Sequence, residues 1–238
     1  MRITAPKKAV GIQTSPSTIN PPKNKGFALV ELFTSEGCSS CPPAESVMHA
    51  LQNLYKNENV FFLEYHVDYW DRLGWKDQFS EPSFTQRQNR YAALLNLESV
   101  YTPQAVVNGT AESVGSDQPK VKGLIEKNIS ANSHNLQMDF TVDKSKMDKI
   151  TVSFPGKLNL QPYEVIEIAL VLNKTEVQIR RGENAGLHIA HFNTVLKMQE
   201  LNGKEKISFQ AEEKYSHEDL SVIVFVQNTK TGNISFCK

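Results

Sequence analysis

The apolar run Phe27-Ala28-Leu29-Val30-Glu31-Leu32-Phe33 breaks at Thr34-Ser35-Glu36-Gly37 into Cys38-Ser39-Ser40-Cys41, and Pro42-Pro43 then opens a helical pattern. No other stretch constrains the fold as much. Proline lacks only an N–H that the first helical turn leaves unpaired anyway, so the pair marks a helix start. Val47, Ala50, Leu51 and Leu54 follow at helical spacing and predict one buried stripe over residues 42–55. Residues 60–67 are almost continuously apolar, as expected of a strand covered on both faces in a parallel arrangement. Strand, helix and strand in this order predict a right-handed crossover. Its parallel strands end on one edge of the sheet, where open α/β sheets bind ligands, so His66 and Asp68 are expected beside Cys38.

The pattern continues in the same vein as far as residue 130. Ser83-Phe84-Thr85-Gln86 has the capping-box form, and Phe84, Gln88, Tyr91 and Leu95 share a face, which predicts a helix over 84–97. Asn108-Gly109 lies between two β-rich runs and predicts a hairpin pairing 104–107 with 111–114. A helix is expected from Ser116, with Pro119 in its first turn and Val121, Leu124, Ile125 and Ile129 as its stripe. Beyond the polar stretch 130–135 the rhythm changes to alternation: Leu136 to Val142, Ile150 to Phe154, Ile166 to Leu172, Ile207 to Gln210 and Leu220 to Gln227. Such short alternating strands predict an all-β sandwich. The division expected is a flexible tail over 1–26, an α/β domain over 27–130 and a β-sandwich domain over 131–238.

Composition narrows the partners. Lys+Arg and Asp+Glu balance at 26 each, and no basic stretch is long enough to track phosphates, which argues against nucleic acid. No apolar run reaches the ~18 residues of a membrane span. Residues 1–26 hold Lys7 and Lys8 but no apolar core of a signal peptide follows them.

A CxxC pair at a helix start admits three chemistries. The positive end of the helix dipole, with unpaired N–H groups, favours a thiolate at Cys38, the attacking species in disulfide exchange. A structural disulfide is the second reading. The third is a binding module: tetrahedral zinc lacks a second CxxC or paired histidines, whereas the same cleft suits Cu(I), held by two thiolates with His66 as a third ligand, or a thiol-bearing ligand.

Several segments together resemble one family: Val30–Glu45 around the CSSC, His66–Trp75, Tyr101-Thr102-Pro103-Gln104, Arg181–Gly186, and His191 with Asn193. It is a thioredoxin-like family of unknown function, made up mostly of exported bacterial proteins. The resemblance implies a thioredoxin-like N-terminal domain followed by the sandwich, and a cis Thr102-Pro103 bond against Cys38 and Cys41. It also implies that Glu31 is a buried acid behind the cysteines, able to exchange a proton with Cys41. The expected activity is thiol–disulfide exchange with a protein or small-molecule thiol or disulfide, using no added cofactor. Cys38 is then the nucleophile, Cys41 the resolving thiol, Pro103 the shape of the substrate edge, and Thr102 part of that edge.

The loop His66–Trp75 holds both tryptophans of the chain. His66, Asp68 and Trp70 are its candidates for a substrate-recognising rim, while Trp75 reads as packing. The glycines and Asn184 of Arg180–Gly186 suit a tight loop, which a functional reading places, with His191, over the redox edge. Cys237 is the odd thiol. Its parity differs from that of Ile234 and Phe236, so it is expected to face away from the main core and not to pair with the CxxC.

Overall fold

The computed structural model describes residues 26–131, 138–146, 148–156 and 158–238. The expected tail, apart from Gly26, and Leu136 lie outside the described residues. The rest is a mixed α/β protein with three α-helices on a large sheet and a second, smaller sheet.

β1 (Ala28–Thr34), α1 (Cys41–Leu54) and β2 (Val60–His66) form the expected crossover, with β1 and β2 parallel from Ala28↔Val60 to Thr34↔His66. α2 (Pro82–Leu94) starts at Pro82 rather than at the capping-box pattern, because Glu81 is its N-cap residue. β3 (Gln104–Val107) and β4 (Ala111–Val114) are the predicted hairpin, with Asn108 and Gly109 both at positive φ. β3 also pairs antiparallel with β1. α3 (Gln118–Ser130) is capped by Asp117, whose carboxylate accepts from the Lys120 N–H at 3.1 Å.

The C-terminal half does not keep its strands to a separate sheet. β7 (Glu164–Gln178), β8 (His188–Glu200), β10 (Leu220–Asn228) and β11 (Ile234–Cys237) extend the N-terminal sheet, in the order β11-β10-β7-β8-β2-β1-β3-β4. The join is a parallel contact between β2 and β8 at Glu64↔Thr194. Only β5 (Thr141–Lys146), β6 (Lys149–Ser153) and β9 (Lys206–Gln210) form the second sheet. One sheet thus runs across the expected boundary at 130–135, of which residues 132–135 lie outside the described residues.

Side-chain alternation along the strands divides the interior into three clusters. Val30, Leu32 and Phe62 face α1 and α3, with Leu51 and Ile125. Leu29, Phe33, Leu63 and Tyr65 face the other way, onto α2, where they meet Ala169, Val171 and Phe225 of the C-terminal strands. Ile168, Leu170 and Leu172 pack on Ile150, Val152 and Phe209 of the second sheet. Cys237 packs against the α2-side cluster, which corrects the expectation that it faces away from the core. Its thiol is free, and burial followed by the Glu31 carboxylate pushes its pKa well up.

Candidate functional site

Cys38 and Cys41 are joined by a disulfide, with Cα atoms 5.4 Å apart. Cys41 is the first residue of α1, Ser40 is the N-cap, and Cys38 sits in the turn before it. An N-cap side chain normally accepts from the N–H of the second or third helical residue, but here those are Pro42 and Pro43, which have none. Ser40 Oγ is released for other contacts. It lies 3.3 Å from Cys38 Sγ and donates to the Thr102 carbonyl at 3.4 Å. The same prolines remove two of the free N–H groups expected at this helix end. The N–H groups of Cys38 and Cys41 are themselves used within the turn, on Ser35 and Cys38 carbonyls at 3.1 Å each. The helix dipole and the Ser40 hydroxyl beside Cys38 Sγ remain to favour a thiolate.

The Thr102-Pro103 bond is cis. Pro103 is buried beside Ala44 of α1, both lying against the position of Gly115. Trp70 closes the near side: its indole N–H donates to Thr102 Oγ1 at 2.8 Å, and its Cβ lies 3.2 Å from where Gly37 would carry one. The far side is closed by the Arg180–Gly186 loop. Asn184 Nδ2 donates to the carbonyls of Glu36 and Cys38, both at 2.9 Å, and the Ser39 N–H points to Glu183 Oε2 at 3.4 Å. Gly182, at φ 77°, lies against Trp75, where a Cβ would come within 3.1 Å of the Trp75 Cβ. Beneath this roof both cysteines are 0% exposed, while Ser39 and Ser40 remain open to solvent.

Three of the expected site residues stand elsewhere. Glu31 shares the face of Leu29 and Phe33, so it points away from α1 and the cysteines. It accepts from Arg87 Nε at 2.6 Å and from the Tyr91 hydroxyl, a pairing that leaves it no route to Cys41. Asp68 is turned to α2, accepting from Thr85 Oγ1 at 2.5 Å. His66 lines no open rim; it is 0% exposed, with Nδ1 2.7 Å from Asp77 Oδ2. The two thiols are bonded to each other and His66 gathers with Glu64 and His191 instead, so the expected Cys–Cys–His66 ligand set is not assembled.

Directly under the cysteine turn lies a buried polar cluster that the sequence reading did not assemble. Glu64 and His66 alternate on β2 and face α1. His191 and Thr194 come from β8, Glu45 from α1, and Glu36 from the turn before Cys38. Thr34 Oγ1 donates to Glu45 Oε1 at 2.9 Å, the Phe192 N–H to Glu64 Oε2 at 3.0 Å, and Trp75 Nε1 to Glu36 Oε2 at 2.5 Å. Trp75 thus anchors a buried carboxylate besides packing. His191 lies 3.1 Å from Glu45 by Nδ1 and 3.6 Å from Glu36 by Nε2, without hydrogen-bond alignment to either. Burial pushes the Glu64 carboxyl well above the usual range, and the neighbouring Glu45 carboxylate adds to it. Burial alone would lower His191, but Glu45, Glu36 and Glu64 raise it well above an ordinary imidazole. Asp77 is held low despite its burial by His66 and by the N–H groups of Glu36 and Phe79.

Among curated proteins, none matches the chain. Solved structures share its fold, among them the two that follow. A protein from Agrobacterium tumefaciens is similar at a TM-score of 0.62 and 23% identity, over 88% of this chain and 90% of its own. HBP35 of Porphyromonas gingivalis is similar at a TM-score of 0.59 and 17% identity, over 90% of this chain and 74% of its own. At the level of sequence, residues 29–227 match the family described as protein of unknown function (DUF1223). That span takes in β1, the cysteine turn, the polar cluster and all but the last strand, and the chain belongs to this family.

Proposed function

We propose that the protein exchanges thiols and disulfides through Cys38 and Cys41, with Thr102 and Pro103 forming the edge that a substrate meets. The carrying observation is the Cys38–Cys41 disulfide at the start of α1 beside the cis Thr102-Pro103 segment. The order β1-α1-β2-α2-β3-β4-α3 supports a thioredoxin-like reading of this half, and the second sheet layered on the C-terminal strands supports a sandwich-like reading of the other.

In this reading the disulfide accepts two electrons from a substrate dithiol. A substrate thiolate attacks Cys38 Sγ, the bond to Cys41 breaks, and Cys41 leaves as a thiolate. The second substrate thiolate then attacks the mixed disulfide and releases Cys38, so the substrate becomes a disulfide and the protein a dithiol. In reverse, Cys38 attacks and Cys41 resolves. Because both sulfurs are buried, a partner gains access as the Asn184 and Glu183 contacts open, so the Arg180–Gly186 loop gates the reaction.

The test is a Cys41→Ala variant incubated with a dithiol peptide's disulfide form, read by mass spectrometry of non-reduced protein. A mixed disulfide at Cys38 that is absent from Cys38→Ala is the expected result. A wild-type disulfide that glutathione reduces only in denaturant, with no mixed disulfide in Cys41→Ala, overturns the reading and leaves a structural staple.

A further inference from the structure

In the buried cluster beneath the cysteine turn, Glu36, Glu45, Glu64 and His66 are each anchored at one atom and open at another, while His191 is held by no hydrogen bond at either nitrogen. Glu45 is fixed by Thr34 through Oε1, Glu64 by the Phe192 N–H through Oε2, Glu36 by Trp75 through Oε2, and His66 by Asp77 through Nδ1. Glu45 Oε2, Glu64 Oε1, Glu36 Oε1, His66 Nε2 and both nitrogens of His191 are buried without a hydrogen-bond partner. His191 meets Glu45 Oε2 and Glu36 Oε1 as ion pairs at 3.1 and 3.6 Å, whereas Glu64 Oε1 and His66 Nε2 have neither kind of partner, at a cost of about 1–3 kcal/mol each. Carboxyl groups also outnumber the bases: Glu36, Glu45, Glu64 and Asp77 are buried together with only the imidazoles of His66 and His191.

We propose that Glu64, His66 and His191 bind a divalent transition-metal ion of the zinc class. One ligand atom from each of the first three already lies within 4.8 Å of the others. Bonds of about 2.0–2.2 Å to imidazole nitrogen and carboxylate oxygen in a tetrahedral shell require these atoms to draw in to roughly 3.4 Å of one another. Two imidazoles and carboxylate oxygens are donors suited to Zn²⁺ rather than to Ca²⁺ or Mg²⁺. The outer shell is present as well. Asp77 holds His66 Nδ1, which directs Nε2 at the ion, and whichever nitrogen of His191 ligates, its other nitrogen faces Glu36 or Glu45. Fully buried, the site is closed in the manner of a structural metal and fixes the floor under Cys38 and Cys41. It uses neither cysteine, and so is independent of the thiol chemistry proposed above.

The test uses the untagged full chain, unfolded with a chelator and refolded with or without Zn²⁺, then measured for metal content and thermal midpoint. Refolding with zinc should leave about one equivalent bound after gel filtration and raise the midpoint, as expected of a closed site. Cys38→Ser/Cys41→Ser should keep the metal, whereas His66→Ala and His191→Ala should lose it. Asp77→Asn should bind about 10–100-fold more weakly, which keeps the test open should the histidine variants fail to fold. Cobalt in place of zinc should give the absorption of a tetrahedral nitrogen–oxygen site without a thiolate charge-transfer band. No bound zinc and no midpoint shift in the refolded wild type overturns the proposal, as does loss of metal with the cysteines.

Discussion

Two groups of buried carboxylates lie on opposite faces of the same central strands and solve the problem of burial differently. On the α2 face, Glu31 meets Arg87 and Tyr91, Arg87 reaches Glu167 at 3.6 Å, and Gln227 donates to the Tyr91 hydroxyl at 2.8 Å. That face carries its own cation, a guanidinium stacked among Tyr65, Tyr91 and Phe225. On the α1 face, Glu36, Glu45 and Glu64 have only imidazoles for charged company and several atoms with no partner. A self-sufficient cluster reads as architecture. A cluster with only imidazoles to set against its carboxyl groups, and with open donor atoms, reads as a receptor for a further cation.

The contrast is open to direct attack. The largest effect is expected from Arg87→Met, which strands Glu31 and should lower stability in denaturant by about 3–5 kcal/mol, with or without zinc. Adding Glu31→Gln to it should recover part of that loss, since the orphaned charge goes too. On the other face, Trp75→Phe removes a charge-assisted hydrogen bond from Glu36 and should cost about 1.5–3 kcal/mol in the same measurement. The smallest effect separates the two faces most sharply. Glu64→Gln keeps an acceptor for the Phe192 N–H and deletes a charge, so metal-free stability should fall by no more than about 1 kcal/mol. The same variant should lose the stabilisation by zinc. A steep loss in the metal-free protein would show that Glu64 is already well compensated and that the two faces are alike.

Local sequence made the N-terminal elements readable, because their signals are short-range. Pro42-Pro43 marks the start of α1, Asn108-Gly109 turns the hairpin, and the stripe from Val121 to Ile129 shows which side of α3 is buried. β8 escaped notice for a physical reason. At its centre His191 and Thr194 occupy buried positions that a core strand usually fills with apolar residues, and Asn193 takes a φ of 54° in their midst. Alternation is thereby broken where the strand matters most. The misplacement of Glu31 has a related cause: a strand apolar on both faces does not announce which face the cysteine helix covers. Trp70 and Thr102 stand out in short motifs and meet through one hydrogen bond, whereas the gathering of Glu36, Glu45, Glu64 and Asp77 requires long-range pairing that no window of residues contains.

The seam between β2 and β8 also governs the order in which the molecule can be finished. β2 ends at His66 and β8 begins at His188, so in a growing chain β2 is paired with β1 on one edge only until β8 has been made. Throughout that interval the edge of β2 offers free backbone groups to any other extended chain, and Glu64 and His66 lie uncovered. A fragment ending near residue 131 inherits this exposure permanently. Aggregation of such a fragment, and its relief when the C-terminal half is supplied in trans, would trace to this single pairing.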